Sequence, residues 1–346
     1  MKKLSETARA YLNDPALVAE RDRWFSRLQA LFDGKSDSWN DAHPFVLHGD
    51  VPRPADDMKA YSDPEGWVFD CLELIAEKKP RARDRFCPVC VEYPIYGVHY
   101  IDKMFGADVF YYAGQWNVRY LKTPIGALQM PDLEKYETWQ LSKRAAQAFL
   151  AAGVTLPLFG LPTLSSPLNI LVNLYGQEGL LAMYDEEDKV RHDLQVIAEL
   201  IRTLHCWYLD NIPFRQLQPV ISWDRTQPPG YGQICGCTTQ LISADFYRDF
   251  ILPLDEMILS AYPKGGMIHL CGTHTQHLEN FRNMPALKAV QLNDRAAEDL
   301  PLYLEGLRRD QIIYLNPCEG MPAEKALALS KGERIVIVDD LPAGNK

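Results

Sequence analysis

Histidine and cysteine stand two residues apart in Met267-Ile268-His269-Leu270-Cys271-Gly272. On a strand, residues two apart point to one side, so this hexapeptide offers an imidazole nitrogen and a thiolate sulfur together. Both are ordinary zinc ligands, and a catalytic zinc takes three protein ligands while keeping a fourth position for substrate or water. A third thiolate is therefore sought. Cys318, in Leu315-Asn316-Pro317-Cys318-Glu319-Gly320, falls where a strand gives way to its loop and completes the set His269, Cys271 and Cys318. Cys235 and Cys237, in Gln233-Ile234-Cys235-Gly236-Cys237-Thr238, lie in a loop after another strand and are rival ligands. Gly272 allows close backbone approach beside the pair. Against this stands the ordinary fate of free cysteine, which packs as a small hydrophobe.

Carboxylates at strand ends form a second set: Glu92, Asp224, Asp294, Asp339 and Asp340. Glu92 and Asp224 are the candidates for orienting a substrate or moving a proton, Asp224 above the others because Trp223 and Pro228-Pro229 suggest an enclosed place. Tyr93, Tyr96, Tyr111, Tyr112, Trp116, Trp223 and Tyr231 gather near the same strand ends, where aromatic rings wall pockets for apolar substrates. Tyr93, Trp116, Trp223 and Asn293 are the expected substrate contacts. Cys87-Pro88-Val89-Cys90 is a C-x-x-C, but it lies in or beside a strand and not at the helix N-terminus that lowers a redox thiol's pKa, so packing is its expected role. His274 and His277 would share one face of a solvated helix start.

The elements that must carry these groups are legible as eight short apolar runs, Phe86–Val91, Ala107–Tyr112, Val154–Gly160, Pro219–Trp223, Met267–Cys271, Lys288–Asn293, Gln311–Asn316 and Arg334–Val338, separated by segments of helical period. Such alternation calls for a parallel sheet covered by helices, and eight repeats favour an α/β fold closed as a (β/α)8 TIM barrel spanning residues 86–346. Residues 1–85 read as a helical N-terminal arm. Leu17, Val18, Trp24, Phe25, Leu28 and Leu31 mark one amphipathic helix, and Asp63-Pro64 caps a second with Trp67, Val68, Cys71, Leu72 and Ile75 on one face. A doubly wound sheet is the other architecture compatible with the runs, but neither G-x-G-x-x-G nor G-x-x-x-x-G-K-[ST] occurs. With 36 Lys and Arg against 46 Asp and Glu in 346 residues, the net charge of −10 argues against nucleic acid or an anionic membrane as partner. No stretch of 18 apolar residues occurs and no apolar run follows the two N-terminal lysines, so the eight cysteines read as thiols of a cytoplasmic protein.

Leu161-Pro162-Thr163-Leu164-Ser165-Ser166-Pro167-Leu168-Asn169-Ile170, Ala182-Met183-Tyr184-Asp185-Glu186-Glu187, Ser243 to Pro253, and His269-Leu270-Cys271-Gly272 together resemble the uroporphyrinogen decarboxylase superfamily over roughly residues 86–340. That resemblance implies a (β/α)8 barrel. The arginine-rich segment with which the decarboxylases grip substrate carboxylates has no counterpart in Phe86-Cys87-Pro88-Val89-Cys90-Val91, and their glycine-rich ending is absent from Asp339-Asp340-Leu341-Pro342-Ala343. The chain is more similar to the zinc-dependent methyltransferases of corrinoid systems, in which H-x-C-G supplies two zinc ligands and a later cysteine the third. In the methylcobamide:coenzyme M members that cysteine follows the last strand, whereas Cys318 follows the seventh. The branch implies a bound Zn2+, a cobamide carried by a separate corrinoid protein, and a small-molecule methyl donor or acceptor, with a homodimer left open. The aromatic rim favours an O-demethylase acting on methoxylated aromatics. A lyase acting on another carboxylated molecule is the competing expectation, to be marked by Arg119, Lys122 and Arg225 converging on the pocket, and a tetrapyrrole- or corrinoid-binding barrel without turnover is the third.

Overall fold

The computed structural model describes residues 3–35, 44–49, 52–81, 84–218 and 222–339, the side chains of Ser222 and Trp223 excepted. Its strands are β1 (Phe45–His48), β2 (Cys90–Glu92), β3 (Asp108–Tyr112), β4 (Gln115–Arg119), β5 (Leu158–Gly160), β6 (Leu217–Gln218), β7 (Gly232–Cys235), β8 (Gly266–Cys271), β9 (Leu287–Asn293), β10 (Ile312–Leu315) and β11 (Ile335–Asp339). Six of them form one parallel sheet in the order β1-β11-β10-β9-β8-β7, and three form a second in the order β2-β5-β6. Helices connect these strands, as parallel pairing requires. The molecule is thus mixed α/β.

Two isolated parallel bridges join the sheets. Phe86, just ahead of β2, exchanges backbone hydrogen bonds with β1 at Val46 and His48 (both 2.9 Å), and Ser166, beyond β5, donates its N–H to Cys235 at the end of β7 (2.8 Å). Between β6 and β7 side-chain amides stand in for a backbone ladder. Gln218 Nε2 donates to the Gln227 carbonyl (3.0 Å), Gln227 N donates back to Gln218 Oε1 (3.1 Å), and Gln227 Nε2 reaches the Gly232 carbonyl (2.8 Å). The described strands therefore do not form one continuous hydrogen-bonded sheet.

Two expected strands are corrected. Ala107–Tyr112 does not enter a parallel sheet; β3 turns through Ala113 and Gly114, both at positive φ, and pairs antiparallel with β4 as a hairpin. In place of Pro219–Trp223 the structure has the two-residue β6 and a helical turn over Ser222–Arg225, with residues 219–221 outside the described set. β1 and β7 were not expected. β1 lies within the first 85 residues, so that segment contributes a strand to the larger sheet as well as helices. The helix Pro64–Lys78 begins as read, with Asp63 accepting from Gly66 N (2.9 Å) and Pro64 at its first position.

Strand periodicity explains why the site lies where it does. On one face of β8 to β11, Met267, Ala289, Tyr314, Val336 and Val338 pack with Phe25, Leu28 and Phe32 of the helix Pro15–Phe32 into an apolar cluster. Two residues further along the same face the side chains turn polar, His269 and Gln291, and then Cys271 and Asn293. Ile268, Leu270, Val290, Leu292, Ile313 and Leu315 point the other way into the larger core shared with the helices. The polar groups thus stand at the C-terminal strand ends. No helix among the described residues is long and apolar enough to cross a membrane.

Candidate metal centre

Among the described residues, Cys237, His269 and Cys271 form a group whose ligand atoms all lie within 4.8 Å of one another. His269 and Cys271 project from one face of β8, with the imidazole Nε2 3.0 Å from the Cys271 sulfur. Cys237 comes from the neighbouring strand. β7 runs in register with β8, Cys235 opposite His269, and Gly236 N donates to the His269 carbonyl (2.8 Å), so the 3₁₀ turn Cys237–Leu241 begins directly beside the β8 pair. Gly272 holds φ at +80°, a left-handed conformation that favours glycine at the end of β8, and a Cβ there would come within 2.5 Å of Gln240 Oε1, so that flexible side chain would have to move aside.

The third member of the group is Cys237, one of the two rivals, and the structure does not bring Cys318 to it. Beyond β10 the chain enters a tight turn in which Cys318 and Met321 exchange backbone hydrogen bonds (3.2 and 3.0 Å), and Cys318 packs half-buried against the large core. Cys235 is occupied elsewhere, its sulfur receiving Arg225 Nη1 and Gln233 Nε2, each at 3.4 Å.

Gln291, opposite His269 on β9, sets the imidazole. Its Oε1 lies 2.7 Å from His269 Nδ1 and also accepts from Arg225 Nε (2.7 Å), while its Nε2 donates to Asn316 Oδ1 (2.9 Å) and to the Asp224 carbonyl (3.2 Å). Because the oxygen can only accept, His269 Nδ1 carries the proton and Nε2 presents a lone pair toward the cysteines. Burial and then the Arg225 charge hold the His269 pKa below its usual value, keeping the ring neutral. Hydrogen bonding from Cys237 holds the Cys271 thiol below its usual range against the opposing effect of burial, and the Cys237 thiol is pushed up by the same partner and by burial. Asn293 Nδ2 approaches the Cys271 sulfur at 3.8 Å. A borderline-soft divalent ion suits this donor set of two sulfurs and one correctly tautomerised imidazole, and both cysteines are only half-buried.

The other expected residues divide. Glu92 is buried and paired with Arg53, and Asp224 is buried with Oδ1 3.5 Å from Arg225 Nε. Tyr93, expected on a pocket wall, is fully buried in the core, its hydroxyl donating to the Ala60 carbonyl (2.6 Å) and its ring edge-on to Trp67. Tyr231 precedes β7 and packs on Phe32, at the opposite end of that strand from Cys237. Trp116 sits on the β3-β4 hairpin against Tyr61, Tyr96 and Tyr111. The Trp223 side chain and Asp340 lie outside the described residues. His274 and His277 are not solvated but completely buried. Nor do the basic residues gather: Arg119 pairs with Asp108 on the exposed hairpin while Arg225 is enclosed beside Gln291. Gln291 itself was missed, although a glutamine in the apolar strand Leu287-Lys288-Ala289-Val290-Gln291-Leu292-Asn293 was the available signal.

No protein-family model and no curated protein sequence matches the chain. Among solved structures it is similar to a methyltransferase from Methanosarcina mazei, at 12% sequence identity and a TM-score of 0.63 over 91% of this chain and 92% of that one. At that identity the likeness is one of fold.

Proposed function

We propose that the protein is a zinc-dependent methyltransferase, with Cys237, His269 and Cys271 as metal ligands, moving a methyl group between a small molecule and a cobamide carried by a separate corrinoid protein. The observation that carries this reading is the convergence of two sulfurs with an imidazole whose free nitrogen is fixed by Gln291. The fold it shares with a methyltransferase from Methanosarcina mazei supports it. The two linked parallel sheets are read as an interrupted (β/α)8 barrel, with the site at the C-terminal strand ends where such barrels keep their chemistry.

Bound zinc supplies Lewis acidity to the oxygen, nitrogen or sulfur that bears or accepts the methyl group. The chain's own residues do the rest. Gln291 keeps His269 in the ligating tautomer, and Asn293 steadies the Cys271 sulfur. Glu92 and Asp224, held by Arg53 and Arg225, are assigned to orienting the substrate, and Trp116 to an aromatic flank suited to a methoxylated ring.

The test is to mix zinc-loaded protein with reduced Co(I) cobalamin and a methoxylated phenol and follow the absorbance of methylcobalamin. Its growth, absent in Cys271→Ala, is the expected result. No methyl transfer from methoxylated phenols, methylated amines, methanol or methylated thiols in either direction would refute the reading.

A further inference from the structure

Two buried histidines stand behind the metal ligands without joining them. His274 Nε2 lies 2.9 Å from the Cys271 carbonyl, which only accepts, so Nε2 carries the proton; Nδ1 then faces the Thr239 hydroxyl as an acceptor at 3.0 Å, and the single proton of that hydroxyl is shared with the Gly236 carbonyl at 2.8 Å. His277 Nε2 lies 2.8 Å from the Thr239 carbonyl and donates to it, beneath the Tyr247 ring at 4.7 Å between centroids. Thr239 belongs to the turn that starts with Cys237, and Cys271 ends β8. One imidazole therefore ties together the two backbone segments that deliver the sulfurs. Thr238 N, held by Asn169 Oδ1 (3.1 Å), fixes the same turn from its other side.

We propose that His274 and Thr239 are positioning residues that fix the separation of Cys237 and Cys271 and so tune the affinity of the site for a thiophilic divalent cation; this rests on the zinc reading above. Neither residue ligates. A tie between two ligand-bearing segments acts before the ion arrives, by holding the sulfurs at a ligating distance that the free backbone would not keep.

The experiment compares Thr239→Val, which keeps shape and loses the hydroxyl, with Thr239→Ser, which keeps the hydroxyl, and with His274→Gln and the double variant His274→Gln/Thr239→Val. Zinc affinity is read by chelator competition and the melting temperature of each metal-free protein is read alongside. The expected result is a loss of affinity of tenfold or more in Thr239→Val, near-native affinity in Thr239→Ser, and a double variant no worse than the weaker single, because both break one link. A melting temperature that falls in Thr239→Val while its zinc affinity stays within twofold of wild type would overturn the proposal, as would losses that add in the double variant. If wild-type protein binds no zinc, the zinc reading fails and the tie is judged on the thiols alone. Diamide, reduced to its hydrazine as the two thiols are oxidised, links Cys237 to Cys271; slower linking in Thr239→Val than in Thr239→Ser supports the tie, and equal rates overturn it.

Discussion

His269 can ligate only through Nε2, and what makes that nitrogen available is a single amide oxygen on the next strand. Gln291→Leu removes this acceptor and leaves the His269 Nδ1 proton and the Arg225 guanidinium without it. Zinc affinity is expected to fall by roughly 10- to 100-fold, the usual effect of removing an outer partner of a ligating histidine. Gln291→Glu restores an acceptor and is expected to recover much of the loss, both measured by chelator competition. At this scale the sequence was informative about the β8 pair, because strand alternation places His269 and Cys271 together without further knowledge. It left the third sulfur open. Cys237 reaches the site only through the register of β7 on β8 and the short turn that follows, and neither is written in local spacing.

The helix spanning Ala244 to Leu259 shows how an element behind the site is held. Pro253 lacks the N–H that would bond the Asp249 carbonyl, the stretch Tyr247–Ile251 widens to a π-helix, and Arg191 Nη1 donates to that freed carbonyl (2.8 Å). Below it, the enclosed Asp255 accepts from Ser166 Oγ (2.8 Å) and Tyr247 Oη (2.9 Å), and burial pushes its pKa up to about 7. A carboxyl that holds its proton more tightly folded than unfolded contributes stability at low pH and loses it as pH rises from about 4 through 7. Asp255→Asn removes that titration. Its melting temperature relative to wild type should therefore climb across this window and level off above it, a change on the order of a few kcal/mol; a difference flat in pH would contradict the assignment. Elements were legible where their signals were local: Asp63-Pro64 began a helix, and the runs at Met267, Lys288, Gln311 and Arg334 became strands. β1 was hidden in a turn-rich stretch, and the β3-β4 hairpin has the apolar content of a sheet strand, with only Ala113-Gly114 to mark its turn.

For the whole molecule, the consequence of β1 is that the first and last strands among the described residues pair, Phe45 with Val336 through His48 with Asp339. Arg85 adds an ion pair to Asp339 beside that seam. Leu47 is completely buried there, in the cluster with Phe25, Leu28 and Phe86. Leu47→Ala is expected to destabilise the entire fold by about 2–5 kcal/mol in urea unfolding, as for other core leucines. A loss below about 0.5 kcal/mol, typical of surface positions, would mean that β1 is peripheral.

Whether Cys237, His269 and Cys271 together hold a metal is read from the metal content of the protein. The measurement is plasma mass spectrometry of purified wild-type protein beside Cys237→Ala, Cys271→Ala and Cys318→Ala, each checked for native circular dichroism. About one zinc per chain is expected in wild type and in Cys318→Ala, and its loss from Cys237→Ala and Cys271→Ala, since a catalytic zinc needs all three protein ligands. Zinc lost from Cys318→Ala and kept in Cys237→Ala, or absent from wild type refolded with excess zinc, would contradict this ligand set.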